Sequence, residues 1–271
     1  MATPNSRVSR TVKVQADASA LASLMERVAM DTPAVPIRLL FEPEGVSCWT
    51  LNAGKTVMLM LTRWPVTGLK VKEPCVLVCD PKETAAVIRT KGRGGAIRLS
   101  AEPSDAIAIT TQEHGGAEVM PADEDDCLTV PDRNRIPHND EGIPLFPMFD
   151  SEPATWTATM PLTSLREAHA EMTVTKAPYV VLTLKEGSDP SEARSGHWSG
   201  KQTRSWTPIE ATTSKTFTVA FTDVLHTIIS RFSNETTMVR VSKHEKGSFV
   251  VIEATDGPDT MLVATEAIRE A

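Results

Sequence analysis

Lys82, Arg89 and Arg93 are the residues whose spacing suggests a chemical task. Turning residues 80–93 at about 100° per residue brings them, with Ala86, within about 60° of one another. Thr84, Val87 and Ile88 fall on the opposite side. One helix face is then apolar for packing on a sheet, while the other sets three cations in a row. Phosphates along a nucleic acid suit such a row, and contacts of this kind position a duplex without reading its sequence. A merely solvated helix face has the same pattern. Other reactive residue types are arranged less tellingly. Asp189, Ser195 and His197 share a polar loop, but short spacing there is not the geometry of a triad. The acidic run at residues 123–126 imitates a metal cluster and reads better as a solvated edge. Cys48, Cys75, Cys79 and Cys127 form no Cys-x-x-Cys, and the six histidines are scattered. Buried reduced thiols are expected, and no metal site. No glycine-rich phosphate loop opens a helix, since Lys91-Gly92-Arg93-Gly94-Gly95 ends one. The chain therefore reads as non-enzymatic, with no catalytic residue, metal or cofactor.

The elements that must carry these residues follow from periodicity and turn chemistry. Asp80-Pro81 supplies a cap and a first-turn proline for the helix bearing the stripe, which runs to about Arg89. A helix at 18–30 has Leu21, Leu24, Met25 and Val28 on one face and Asp17 as cap. It offers Arg27 beside Glu26. Pro161 starts a helix at 162–172 that exposes Arg166 with Glu167 and Glu171. A helix at 222–232 places Val224, Leu225, Ile228 and Phe232 on its apolar face, His226, Thr227 and Ser230 on its far side, and Arg231 at the edge. Strands are expected at 11–16, 37–41, 46–51, 56–62, 75–78, 96–100 and 106–111. In the second half they fall at 155–160, 179–184, 216–221, 238–242, 249–254 and 261–264, with a polar loop at 187–201. Each half is α+β in class.

The halves align. A shift of 142 positions brings Pro36 onto Pro178, Arg89 onto Arg231, and Arg98-Leu99-Ser100 onto Arg240-Val241-Ser242. The first helix aligns at 141, with Leu21 and Leu24 over Leu162 and Leu165. A period this long is not a solenoid repeat and marks two duplicated domains. Pro131, Pro137, Pro144, Pro147 and Pro153 make residues 128–153 an extended, semi-rigid connector. The expected organisation is a domain at 11–128, a connector at 129–153 and a domain at 154–271.

Composition agrees with two ordinary domains: 271 residues, 41% apolar and 23% charged. No apolar run approaches the ~20 residues needed to span a bilayer, and residues 1–10 lack a secretory signal's apolar core. A cytoplasmic or nucleoid location is expected, or a nuclear one in a eukaryotic host. The net charge of −7 argues against indiscriminate nucleic-acid binding but leaves room for a local basic patch.

Two duplicated α+β halves, each with two helices and many short strands, joined by a proline-rich connector, resemble the sliding clamps of the PCNA type. Val46-Ser47-Cys48-Trp49 to Val57-Met58-Leu59 is similar to the family's first-domain strands, and Glu141-Gly142-Ile143-Pro144 to the end of its connector. Residues 221–233 resemble its last helix, and Asp256-Gly257 to Ala264 its final turn and strand. The likeness spans about residues 11–269. It implies a homotrimeric ring with helices lining the hole and sheets outside, threaded by double-stranded DNA. Such a ring catalyses nothing; put on DNA by a clamp loader, it tethers DNA polymerase and repair proteins. On that reading Lys82, Arg89 and Arg93 face DNA, with Lys91, Arg27, Arg166, His226 and Arg231. Partner peptides would enter a pocket made by Val57, by Ile143, Pro144, Leu145 and Phe146, and by Met261, Leu262, Val263, Ala264 and Thr265. The plainer role for Leu145 and Phe146 is to pin the connector to the sheet. Two departures stand out. Ala264-Thr265 replaces the family's usual Ala-Pro, and the first and third helices are less basic than typical. A non-ring viral processivity factor, a hetero-oligomeric checkpoint-type clamp, a peptide-binding scaffold without DNA, or a hydrolase around His197 are the competing readings.

Overall fold

The computed structural model describes residues 11–30, 36–93, 95–102, 106–111, 115–122, 136–146, 149–187, 189–196 and 204–267. They fall into two compact units, one drawn from Met1–Lys55 with Leu59–Pro131, the other from Thr56–Met58 with Asp132–Ala271. The acidic run at 123–126, Cys127 and His197 lie outside the described residues.

In the first unit β1 (Val12–Asp17) runs straight into α1 (Ala18–Val28). Next come β2 (Ile37–Glu42), β3 (Gly45–Leu51), β4 (Val57–Trp64, whose first two residues fall in the second unit), β5 (Lys70–Val71), β6 (Cys75–Cys79) and α2 (Pro81–Gly92). The unit closes with β7 (Ala96–Ala101), β8 (Ile107–Thr111) and β9 (Gly116–Val119). Two sets of strands result, ordered β5-β1-β7-β8-β9 and β4-β3-β2-β6.

Both helices of the first unit begin where a carboxylate takes up free backbone donors. Asp17 accepts from Ala20 N, and Asp80 accepts from Lys82 N and Glu83 N just ahead of Pro81. Leu21, Leu24, Met25 and Val28 are all buried, as their spacing requires. On α2 the buried face is Thr84, Ala85 and Ile88, with Val87 only half-buried. At its end Arg93 turns left-handed at φ 42°. Gly92 is needed there because a Cβ would meet the Ala18 Cβ at 2.2 Å.

The second unit first takes in the connector, with β10 (Leu145–Phe146) paired to β11 (Glu152–Pro153). It then repeats the element order of the first. β12 (Trp156–Pro161) runs into α3 (Leu162–Thr175), followed by β13 (Val180–Leu184), β14 (Ser191–Gly196), β15 (Arg204–Ile209), β16 (Thr212–Thr213) and β17 (Phe217–Phe221). α4 (Val224–Arg231), β18 (Met238–Lys243), β19 (Phe249–Ala254) and β20 (Thr260–Thr265) complete it. The strand orders β16-β12-β18-β19-β20 and β15-β14-β13-β17 match those of the first unit position by position. The duplication is therefore structural, and the class is α+β.

Three expectations are corrected. The first helices correspond through Ala18 and Leu162, one turn away from the register that set Leu21 on Leu162. Residues 191–196, read as loop, form β14. Ser191, Ala193 and Ser195 are its buried positions, and small polar side chains on a strand's inner face look like loop sequence. The connector between Ile136 and Phe146 is not extended. Asn139 Oδ1 accepts from Glu141 N and Ile143 N, Gly142 N donates to Asn139 O, and Leu145 N donates to Pro137 O, closing a hairpin.

Candidate functional site

The helices of the first unit carry five of the eight expected phosphate contacts. Lys82, Arg89 and Arg93 are exposed on α2 and its cap, and Lys91 is half-buried. Arg89 is turned toward α1: its Nε donates to Glu26 Oε1 at 2.5 Å and its second amino group to Glu26 Oε2 at 2.6 Å. The two-pronged hydrogen bond lowers the Glu26 pKa and raises that of Arg89. The side chains are 45% and 48% exposed, so the pair contributes little to stability. Its effect is to cancel one cation of the stripe. Arg27, half-buried on α1, lies over the Trp64 ring at 4.8 Å from its centroid.

In the second unit Arg166 is exposed on α3, His226 is exposed on α4, and Arg231 is half-buried in the last turn of α4. Sequence reasoning missed His169. It sits on α3 with its ring centroid 5.1 Å from that of His226, the planes tilted by 32°. Burial first, and then the neighbouring His226, hold the His169 pKa below the ordinary imidazole value. The available signal was its place one turn after Arg166 on the same side of the helix.

The residues expected to form the peptide pocket all belong to the second unit. Val57, Phe146, Met261, Leu262 and Ala264 are about 1% exposed or less. Pro144 is buried too, whereas Ile143, Leu145 and Val263 are half-buried and Thr265 is exposed. Phe146 is packed inward. It packs on Phe249 at 5.5 Å, on His244 at 5.6 Å and on Phe149 at 6.3 Å between centroids.

Polar fasteners hold the connector on both sides of that cluster. His138 Nε2 meets Glu253 Oε1 at 2.7 Å, and Arg240 donates to Gly142 O. These side chains line a shallow polar hollow beside the hairpin. Farther along, Glu152 accepts from Lys246 Nζ at 2.8 Å and pairs with His244 Nε2 at 3.1 Å, with its pKa lowered by Lys246 above all. Lys246 N donates to His244 Nδ1, so the ring's other nitrogen carries the proton that Glu152 accepts.

Of the residues weighed as a triad, Asp189 and Ser195 are described and His197 lies outside the described residues. Ser195 is buried on β14 and its hydroxyl shares a 2.9 Å hydrogen bond with that of Thr175. Cys48, Cys75 and Cys79 are buried and in no disulfide, and burial raises the Cys75 pKa. No cluster of three metal-ligating side chains occurs among the described residues, and no described helix is long and apolar enough to cross a membrane.

No protein-family model matches this chain, and no curated protein is similar to it in sequence. Solved structures are. PCNA of A. fulgidus, in a structure with the C-terminal region of FEN-1 bound, matches at a TM-score of 0.65 and 11% identity over 96% of this chain and 99% of that one. The PCNA2–PCNA3 complex of Sulfolobus tokodaii matches at 0.62 and 9% identity over 94% and 99%. The chain has the PCNA-type sliding-clamp fold.

Proposed function

We propose that the chain is a DNA sliding clamp: three copies close a ring around duplex DNA, and the ring tethers a DNA polymerase and other replication and repair proteins without catalysing a reaction. The observation that carries this reading is the duplicated unit, repeated strand for strand and helix for helix. Two copies of one helix-on-sheet unit per chain are what a ring built from repeated arcs requires. Lys82, Lys91 and Arg93 supply phosphate contacts in the first unit, Arg166 and Arg231 in the second, and Arg27 and Arg89 contribute less because Trp64 and Glu26 engage them. A clamp loader of matching design opens the ring. Partner peptides lie along Ile143, Leu145, Val263 and Thr265, the members of the expected pocket that keep surface.

The edge strands are the proposed joints. β9 ends one sheet of the first unit and β15 one sheet of the second. Two of the exposed large apolar side chains stand on or beside them: Met120, 73% exposed just after β9, and Trp206, 70% exposed on β15. Pairing of β9 with β15 of the next copy would cover both and repeat head to tail until the ring closes.

Light scattering over a dilution series tests the reading. A mass three times the 29.4 kDa chain supports the ring. A stable monomer sinks the homotrimer and favours a clamp of unlike subunits or a factor that never closes. Salt-dependent retention on circular over linear duplex separates either from a scaffold that ignores DNA.

A further inference from the structure

His169 and His226 lie on adjoining helices of the second unit, α3 and α4, with their ring centroids 5.1 Å apart. Beneath α3, β14 buries Ser191, Ala193 and Ser195, while Glu192 and Arg194 pair with each other at 2.8 Å on the alternate positions. The buried positions of β12 and β13 are Ala158, Met160, Val180, Leu182 and Leu184, and that of β15 is Ile209. β20, packed near α4, buries Thr260, Met261, Leu262 and Ala264. Among the described residues, the other ionisable side chains of these two helices are Arg166, Glu167 and Glu171 on α3, and Asp223 and Arg231 at the ends of α4. In the free protein burial first, and then His226 beside it, give His169 a reason to shed a proton.

We propose that the His169–His226 pair is a proton-dependent phosphate contact, which takes up a proton from solvent when duplex DNA lies across α3 and α4. The proposal rests on the DNA reading above and adds to it both a binding residue and a dependence on pH. Where the first unit offers lysine and arginine, charged at any physiological pH, this seam offers imidazoles. A phosphate oxygen near the rings stabilises the imidazolium and opposes both the burial and the mutual repulsion that keep His169 neutral. The sign follows from linkage: if the complex holds more protons than the free protein, affinity rises as pH falls.

The test is duplex binding by the full chain, followed by fluorescence anisotropy at constant ionic strength between about pH 8 and about pH 6. Affinity should rise toward about tenfold per pH unit for each proton taken up, and His169→Gln should flatten that rise. In wild-type protein the ring-proton NMR titration of His169 should move to higher pH when duplex is added, which a merely structural histidine would not do. A pH dependence that persists in His169→Gln, or a His169 titration that ignores DNA, overturns the proposal. In that event Lys82→Ala and Arg93→Ala still weaken binding at every pH, and the clamp reading stands. Absence of duplex binding at any pH or salt overturns both.

Discussion

Glu26 engages one of the three cations of the α2 stripe. Arg89 lies on the expected face of α2, but its guanidinium is spent on a carboxylate 63 residues earlier in the chain. Arg89→Ala should therefore weaken duplex binding less than Arg93→Ala, whose side chain is exposed at the helix end. Glu26→Gln should strengthen binding by releasing Arg89. Salt titrations check all three, because each lost phosphate contact lowers the slope of log affinity against log salt by about 0.9. The cations themselves were legible from their helical spacing. The pairing was not, since Glu26 and Arg89 meet only when α1 packs beside α2. His169 escaped notice for a similar reason: its meaning lies in His226, on another helix.

The connector shows what a proline pattern does and does not report. Five prolines disfavour a long helix and a central strand, and among the described residues of the connector no α-helix occurs and only the two short strands β10 and β11 form. The hairpin instead depends on the Asn139 side chain folding back on two backbone donors. Phe146 then anchors it among Phe149, His244 and Phe249. Phe146→Ala should cost about 3–5 kcal/mol in denaturant unfolding, whereas Leu145→Ala, at a half-buried position, should leave unfolding nearly unchanged and weaken capture of a clamp-binding peptide. Strands β14 and β15 were missed because alternation of small and charged residues carries little hydropathy contrast. Hydrogen bonding to β13 makes β14 a strand, and its own sequence says less.

For the proposed ring, the edge strands matter more than the core. Trp206 sits on β15, the end strand of its sheet, opposite Arg194 of β14. Trp206 is 70% exposed there and would be covered at the proposed joint. Trp206→Glu should reduce the light-scattering mass toward one chain while far-ultraviolet circular dichroism stays that of the wild type. An unchanged trimer would move the joint elsewhere. Duplication, fold class and the ends of most elements could be read without coordinates, because caps, glycines and apolar periodicity are properties of neighbours along the chain. What the tertiary structure decided was which cations stay available, which apolar residues hold the connector, and which histidines face one another. Those outcomes depend on contacts between residues far apart in sequence, where burial and charge pairing are set by the packing of whole elements.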